Sequence, residues 1–182
     1  MQALLRSPSR RAPTGVRNRA LLVVLYRTGL RISEALALEP KDVDRDGTLR
    51  VLHGKGDKAR TVLLDAEAMT CLDRWLDVRA SLGINGRNRI FCTLKGAPLL
   101  TAYVRAMLPR MARRAGIAKR VHPHCLRHTT ASEMRAEGMD IGVISRVLGH
   151  ASTATTARYL DHVAPQAVLD AIRARAWTVP KA

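Results

Sequence analysis

TLRVLHGKGDKARTVLL, residues 48–64, is the stretch that decides the fold. Leu49-Arg50-Val51-Leu52 and Thr61-Val62-Leu63-Leu64 are short apolar-rich runs, and Gly54-Lys55-Gly56-Asp57-Lys58 between them carries the glycines of a reversal. The stretch reads as a β-hairpin near 48–64. Upstream the pattern is helical: over 16–28 the residues Ala20, Leu21, Val24 and Leu25 share one face, and Gly29 supplies the stop. A short helix over 32–38 follows, ended by Pro40. Downstream, helices are predicted over 66–81, 102–114, 124–137, 141–148 and 164–176, punctuated by Gly83, Gly116, Gly138 and Gly149. The expected fold class is α+β, mainly α-helical, with one small antiparallel sheet and none of the strand-helix alternation of a doubly wound fold. No repeat or low-complexity block interrupts it.

The chain has 182 residues, enough for one domain with a real core. Residues 7–13 are Ser, Pro and Arg without apolar periodicity, so 1–13 reads as a basic tether. Residues 14–163 then form the domain, and 164–182 a C-terminal helix and tail. Lys and Arg number 31 against 15 Asp and Glu, a net charge of +16. An excess of that size on a folded domain suggests a polyanionic partner, because cations that neutralise phosphates release condensed counterions. A GC-rich genome that favours Arg is the bland alternative, and the distribution speaks against it. No acidic residue precedes Glu34, whereas Arg6, Arg10, Arg11, Arg17, Arg19, Arg27 and Arg31 all do, and between Arg105 and Arg135 the one acid is Glu133. Aromatic residues make up 3%, too few for a stacking platform of the kind that binds single strands. Cys71, Cys92 and Cys125 are odd in number and widely spaced, and read as reduced, buried thiols. No apolar run reaches membrane length, and the N-terminus carries Arg and Pro where a secretory core would sit, so a cytoplasmic protein is expected.

Single motifs are weak here. His124 and His128 lie four apart on a predicted helix with His122 close by, a superficial zinc pattern. Cys125 stands where the metalloprotease motif needs glutamate, and no carboxylate completes a ligand set, so no metal is assigned. Gly54-Lys55-Gly56 lacks Walker spacing and joins strands instead of opening a helix, which argues against nucleotide hydrolysis. Taken alone, Lys55 is a solvated turn residue, although a lysine at a hairpin tip can reach into a groove and present a proton. Tyr26 and Tyr103 are embedded in apolar helical pattern and read as structural. Tyr159 sits in a weakly apolar, Thr- and Ala-rich segment after Leu148-Gly149-His150, where packing gives little reason for it.

Together these motifs resemble the catalytic domain of the tyrosine recombinases, the phage integrase family. The resemblance rests on Thr28-Gly29-Leu30-Arg31-Ile32-Ser33-Glu34, Gly54-Lys55-Gly56-Asp57-Lys58-Ala59-Arg60, His124-Cys125-Leu126-Arg127-His128, Leu148-Gly149-His150 and Thr156-Ala157-Arg158-Tyr159, in order, and spans roughly 12–165. It implies the family's catalytic-domain fold and an active site of Arg31, Lys55, His124, Arg127 and His150 around the nucleophile Tyr159, supported by Glu34. It also implies DNA cutting and rejoining through a 3′-phosphotyrosyl intermediate without metal, ATP or other cofactor, for integration or excision of a phage or other mobile element. The implied partners are double-stranded DNA, a homotetramer assembled on it, and accessory DNA-bending proteins. The chemistry suits the residues. Two guanidiniums can clamp the charge that develops on non-bridging phosphate oxygens, and a phenol among cations is eased toward its nucleophilic form. Family members generally carry an N-terminal core-binding domain, whereas only the tether is expected ahead of the first helix in these 182 residues. Two alternatives stay open: a basic DNA-binding module with idle catalytic residues, and a type IB topoisomerase, against which the short spacing from His150 to Tyr159 speaks.

Overall fold

A computed structural model of the protein describes residues 1–52, 59–84, 86–150 and 156. In chain order it holds α1 (Gln2–Arg6), α2 (Pro13–Thr28), α3 (Ile32–Ala37), a single 3-10 turn at Pro40–Asp42, β1 (Thr48–Val51), β2 (Arg60–Leu63), α4 (Ala66–Ser81), α5 (Thr101–Arg114), α6 (Pro123–Ala136) and α7 (Ile141–Leu148). It is mainly helical with one two-stranded antiparallel sheet, as the sequence predicts.

α2 is the axis of the domain. Proline at its first position presets the helical φ, and Gly29, at φ 62°, closes it with a bond from its N–H to the Leu25 carbonyl. Leu21, Leu22, Val24 and Leu25 are almost wholly buried, so the helix is apolar nearly all round and takes neighbours on several sides. It packs against α1, α3, α4 and α6. Leu72 and Trp75 of α4, Leu108 of α5, and Ile90 and Phe91 from the segment between those helices complete the main core. A smaller cluster of Ala131, Ile144 and Leu148 holds α6 to α7. α7 also leans on β2, which is what brings its C-terminus toward the end of α2.

The strands pair Thr48 with Leu63 and Val51 with Arg60, one residue earlier in each strand than the sequence reading. Leu49, Val51 and Val62 face inward while Arg50, Thr61 and Leu63 face outward, the period-2 alternation of a half-buried sheet. The segment carrying Lys55 lies outside the described residues.

Two expectations need correction. The stretch read as a tether contains α1, with Leu4 buried in the main core, and Pro8 is buried as well. The Ser9 hydroxyl also accepts the Arg11 and Ala12 backbone N–H groups. The Ser-Pro-Arg composition that suggested a tether hid the anchoring role of Leu4. Of the three thiols, only Cys92 is buried; Cys71 and Cys125 are half-exposed, and all three are free. The predicted helix over 164–176 lies outside the described residues. Among those residues no helix is long and apolar enough to cross a membrane.

Candidate active site

Two glycine-capped helix ends meet. The last turn of a helix leaves carbonyls without intrahelical partners, and a partial negative charge accumulates there. Gly149, at φ 64°, ends α7, and its last carbonyls accept three arginines. Arg60 Nε donates to Val147 O at 3.0 Å, Arg127 Nη2 to Leu148 O at 2.6 Å, and Arg31 Nη2 to Gly149 O at 3.1 Å. Arg127 Nη1 also donates to the Gly29 carbonyl at the end of α2, at 2.6 Å. The two caps touch closely: a Cβ on Gly29 would lie 2.6 Å from Leu148 Cδ2, so the contact needs glycine for space as well as for its positive φ.

Glu34 is the acid of the cluster. It lies one turn into α3, where its Oε2 accepts the Arg31 backbone N–H at 2.7 Å and helps start the helix. Its Oε1 accepts Arg31 Nη1 at 2.8 Å, and both oxygens accept the fork of Arg60, at 3.0 and 2.7 Å. Burial pushes this carboxyl up, but the hydrogen bonds from Arg60 and from the Arg31 backbone outweigh it and hold it below the usual carboxylate range. Glu34 therefore stays ionised while shared by two guanidiniums.

Arg31, His124 and Arg127 line a groove of about 560 Å³ together with Leu30, Ser33, Arg105, Arg120 and His122. Arg127 lies on the buried face of α6 beside Leu126 and Thr130, whereas His124, one turn earlier, is exposed and meets His128 edge to face at 5.0 Å. Burial, then the charge of Arg127, lowers the pKa of His124. The same two causes, in that order, with Arg31, His124 and Arg60 behind them, bring His150 down to about 4. Both imidazoles are thus neutral near pH 7. His150 Nδ1 is 2.7 Å from the hydroxyl of Thr156, itself fully buried.

The structure brings together Arg31, Glu34, Arg127, His124 and His150 of the residues singled out by sequence. Lys55 and Tyr159 lie outside the described residues. It adds two that sequence reasoning passed over, Arg60 and Thr156. Both stood inside quoted motifs, and membership of those motifs was the signal that marked them. The other two tyrosines are committed to packing. The Tyr26 hydroxyl donates to Glu133 at 2.6 Å, and burial together with that carboxylate pushes its pKa up to about 12. The Tyr103 hydroxyl accepts from Arg17 at 2.6 Å and from Asn18 at 3.1 Å. Among the described residues, no three His, Cys, Asp or Glu side chains converge as a metal-binding group would require.

A helical domain with one hairpin and a cationic cluster at two helix ends has the architecture of a tyrosine recombinase catalytic domain. The chain belongs to the phage integrase family, whose model matches residues 1–165. Tyrosine recombinase XerD of Ralstonia nicotianae is 39% identical over 167 residues, covering 90% of this chain and 54% of that relative. The crystal structure of XerA recombinase superposes with a TM-score of 0.82 at 33% identity, over 97% of this chain and 63% of that one. The post-cleavage complex of XerH recombinase on its palindromic difH substrate gives a TM-score of 0.77 at 32% identity, over 95% and 50%. The chain spans about half the length of the curated relatives it matches.

Proposed function

We propose that the chain is the catalytic part of a site-specific DNA recombinase, a strand transferase acting through a covalent 3′-phosphotyrosyl intermediate. The observation that carries the reading is the convergence of Arg31, Arg127 and His150 on the α7 C-terminus beside an open basic groove. Planar guanidiniums fixed by carbonyls are preorganised donors, and their benefit grows as charge develops on the phosphoryl oxygens. They supply that charge compensation without a metal. If the Thr156 hydroxyl donates to His150 Nδ1, the imidazole proton sits on Nε2, ready to bond a phosphate oxygen. His124, neutral at the groove edge, has a role as proton acceptor or as a second phosphate ligand.

Tyr159 is the nucleophile of this reading, supported by the engagement of Tyr26 and Tyr103 elsewhere among the chain's three tyrosines. Its phenolic oxygen gives up its proton, to His124 or to water, and forms the bond to phosphorus; the bond from phosphorus to O5′ breaks, and Lys55 gives its proton to the leaving O5′. A second 5′-hydroxyl attacks the phosphotyrosine, returning the phenol and joining a new strand with no net hydrolysis. The partner is double-stranded DNA, met by four copies of the protein with accessory bending proteins, in the cytoplasm. Integration or excision of a mobile element is the biological setting. Residues 14–163, with α1 packed into the same core, form the catalytic unit, and 164–182 its C-terminal helix and tail.

The test is a nicked duplex whose cleaved end diffuses away, which traps any covalent adduct. Wild-type protein is expected to accumulate adduct with a chelator present; Tyr159→Phe is expected to give none while retarding DNA equally. Lys55→Ala should slow trapping by about 10² to 10⁴ and recover on a substrate with sulfur at the bridging 5′ position, a leaving group that needs no proton. An adduct in Tyr159→Phe, or cleavage that requires Mg²⁺, contradicts the assignment.

A further inference from the structure

Resting on the recombinase reading, we infer that Arg60 is a positioning residue, the strut that fixes Arg31 and the His150 turn relative to each other from β2. Its three guanidinium nitrogens all donate inside the protein, two to the two oxygens of Glu34 and one to the Val147 carbonyl. Its side chain is 11% exposed against 27% for Arg31, so the two arginines on Glu34 are not equivalent. Arg31 reaches the groove, whereas Arg60 stands behind it.

Two contacts give the strut its direction. Through Glu34 it sets Arg31: that carboxylate is 2% exposed and carries Arg31 by both backbone and side chain. A buried carboxylate held by the Arg60 fork on one side and by the Arg31 backbone N–H and Nη1 on the other has a single orientation, and without Arg60 it keeps only the partner it is meant to place. Through Val147 and Gly149, Arg60 sets the turn into His150. A Cβ on Gly149 would lie 2.8 Å from Arg60 Nη1, 2.9 Å from Cζ and 3.0 Å from Nε, so the turn rests on the flat of the guanidinium. A flexible arginine would step aside. One pinned by three hydrogen bonds does not, and Gly149 is thereby required for contact with Arg60 as well as for its positive φ. A residue that merely stabilised the fold through one ion pair would need neither the fork geometry nor this stacking.

The experiment uses Arg60→Ala, Arg60→Lys and Gly149→Ala in the 182-residue chain. It measures DNA affinity, the rate of adduct trapping at saturating nicked duplex, and the His150 imidazole titration by NMR. Arg60→Ala is expected to bind DNA within about two-fold of wild type and to trap adduct about 10²-fold more slowly, the scale of a misplacement near 1 Å. The His150 midpoint should rise. Arg60→Lys, which keeps the charge and protects folding, should remain at least about ten-fold slow, because one ammonium cannot span Glu34 and Val147. Gly149→Ala should slow the wild type more than it slows Arg60→Ala, a non-additivity that a simple ion pair does not produce. Wild-type trapping rates in Arg60→Lys, additive effects with Gly149→Ala, or affinity lost in step with rate would each overturn the inference. If wild-type protein traps no adduct, the recombinase reading fails first, and the titration in the charge-conserving Arg60→Lys decides the strut: an unmoved His150 rejects it, and a shifted one keeps it.

Discussion

The two ends of α2 each bury an arginine, and they use it differently. At the N-terminal end Arg17, 3% exposed, donates to Asn18 Oδ1, to the Tyr103 hydroxyl and to the Cys92 carbonyl, with the Tyr103 ring 5.0 Å from its guanidinium carbon. Every partner in that set is neutral and internal. At the C-terminal end Arg127, also 3% exposed, is held by Gly29 and Leu148 carbonyls, but it lines a groove with Arg31, close to a carboxylate and two neutral histidines. Burial of a guanidinium therefore does not mark a site. What marks it is that charge is left in excess: three guanidiniums face one carboxylate at the C-terminal end, beside space that a phosphate can enter.

The contrast is sharpest in chemistry. Arg127→Ala is expected to reduce adduct trapping by at least about 10³-fold, since it removes a transition-state donor from a preorganised pair. Arg17→Met should leave the rate per folded molecule unchanged. A stopped-time trapping assay on both variants, corrected for folded fraction, distinguishes them, and a large rate loss in Arg17→Met would erase the distinction between the two ends.

In stability the order reverses. Arg17→Met removes the donor shared by Asn18, Tyr103 and Cys92, and is expected to cost about 2 to 4 kcal/mol, the scale of losing several charged hydrogen bonds in a buried setting. Urea unfolding reads this as a lower midpoint at constant slope. A loss below about 0.5 kcal/mol would mean the network is not a structural clamp.

The smallest effect is in pH. An unfolded His150 takes its proton near 6.5, whereas the folded one waits until about 4. Between those values the unfolded state binds more protons, so stability is complete above about 6.5 and falls on acidification toward 4. Replacing His150 with Gln should flatten that part of the curve, and bound phosphate, which reverses the local charge, should move the His150 midpoint upward. An unchanged slope in His150→Gln would place its imidazole in water.

How much of this was legible in the sequence follows the range of each interaction. α4 and α7 match their predicted bounds because capping is local: Asp65 accepts from Ala68, and Asp140 from Gly142 and Val143. The strand pair was legible from alternation. α1 was not, because one buried leucine in a five-residue helix carries no periodicity. Arg31, Glu34, Arg127 and His150 could be chosen as residues, but the reason they converge could not. That reason is the carbonyl end of α7, reached from positions 118, 87 and 21 residues away by Arg31, Arg60 and Arg127. Arg60 was hidden for the same cause, since its bonds to Glu34 and Val147 cross 26 and 87 residues, whereas Thr156 meets His150 only six residues away, in a contact that no helical or strand periodicity marks.

The central claim is that the cationic cluster serves one tyrosine and that the tyrosines of the α2 scaffold are structural. Digesting the trapped protein-DNA adduct with protease and nuclease, then locating the nucleotide by mass spectrometry, tests it directly. The account predicts a phosphotyrosyl nucleotide on the peptide containing Tyr159, with the Tyr26 and Tyr103 peptides unmodified. Nucleotide attached to Tyr103 or Tyr26 would contradict it.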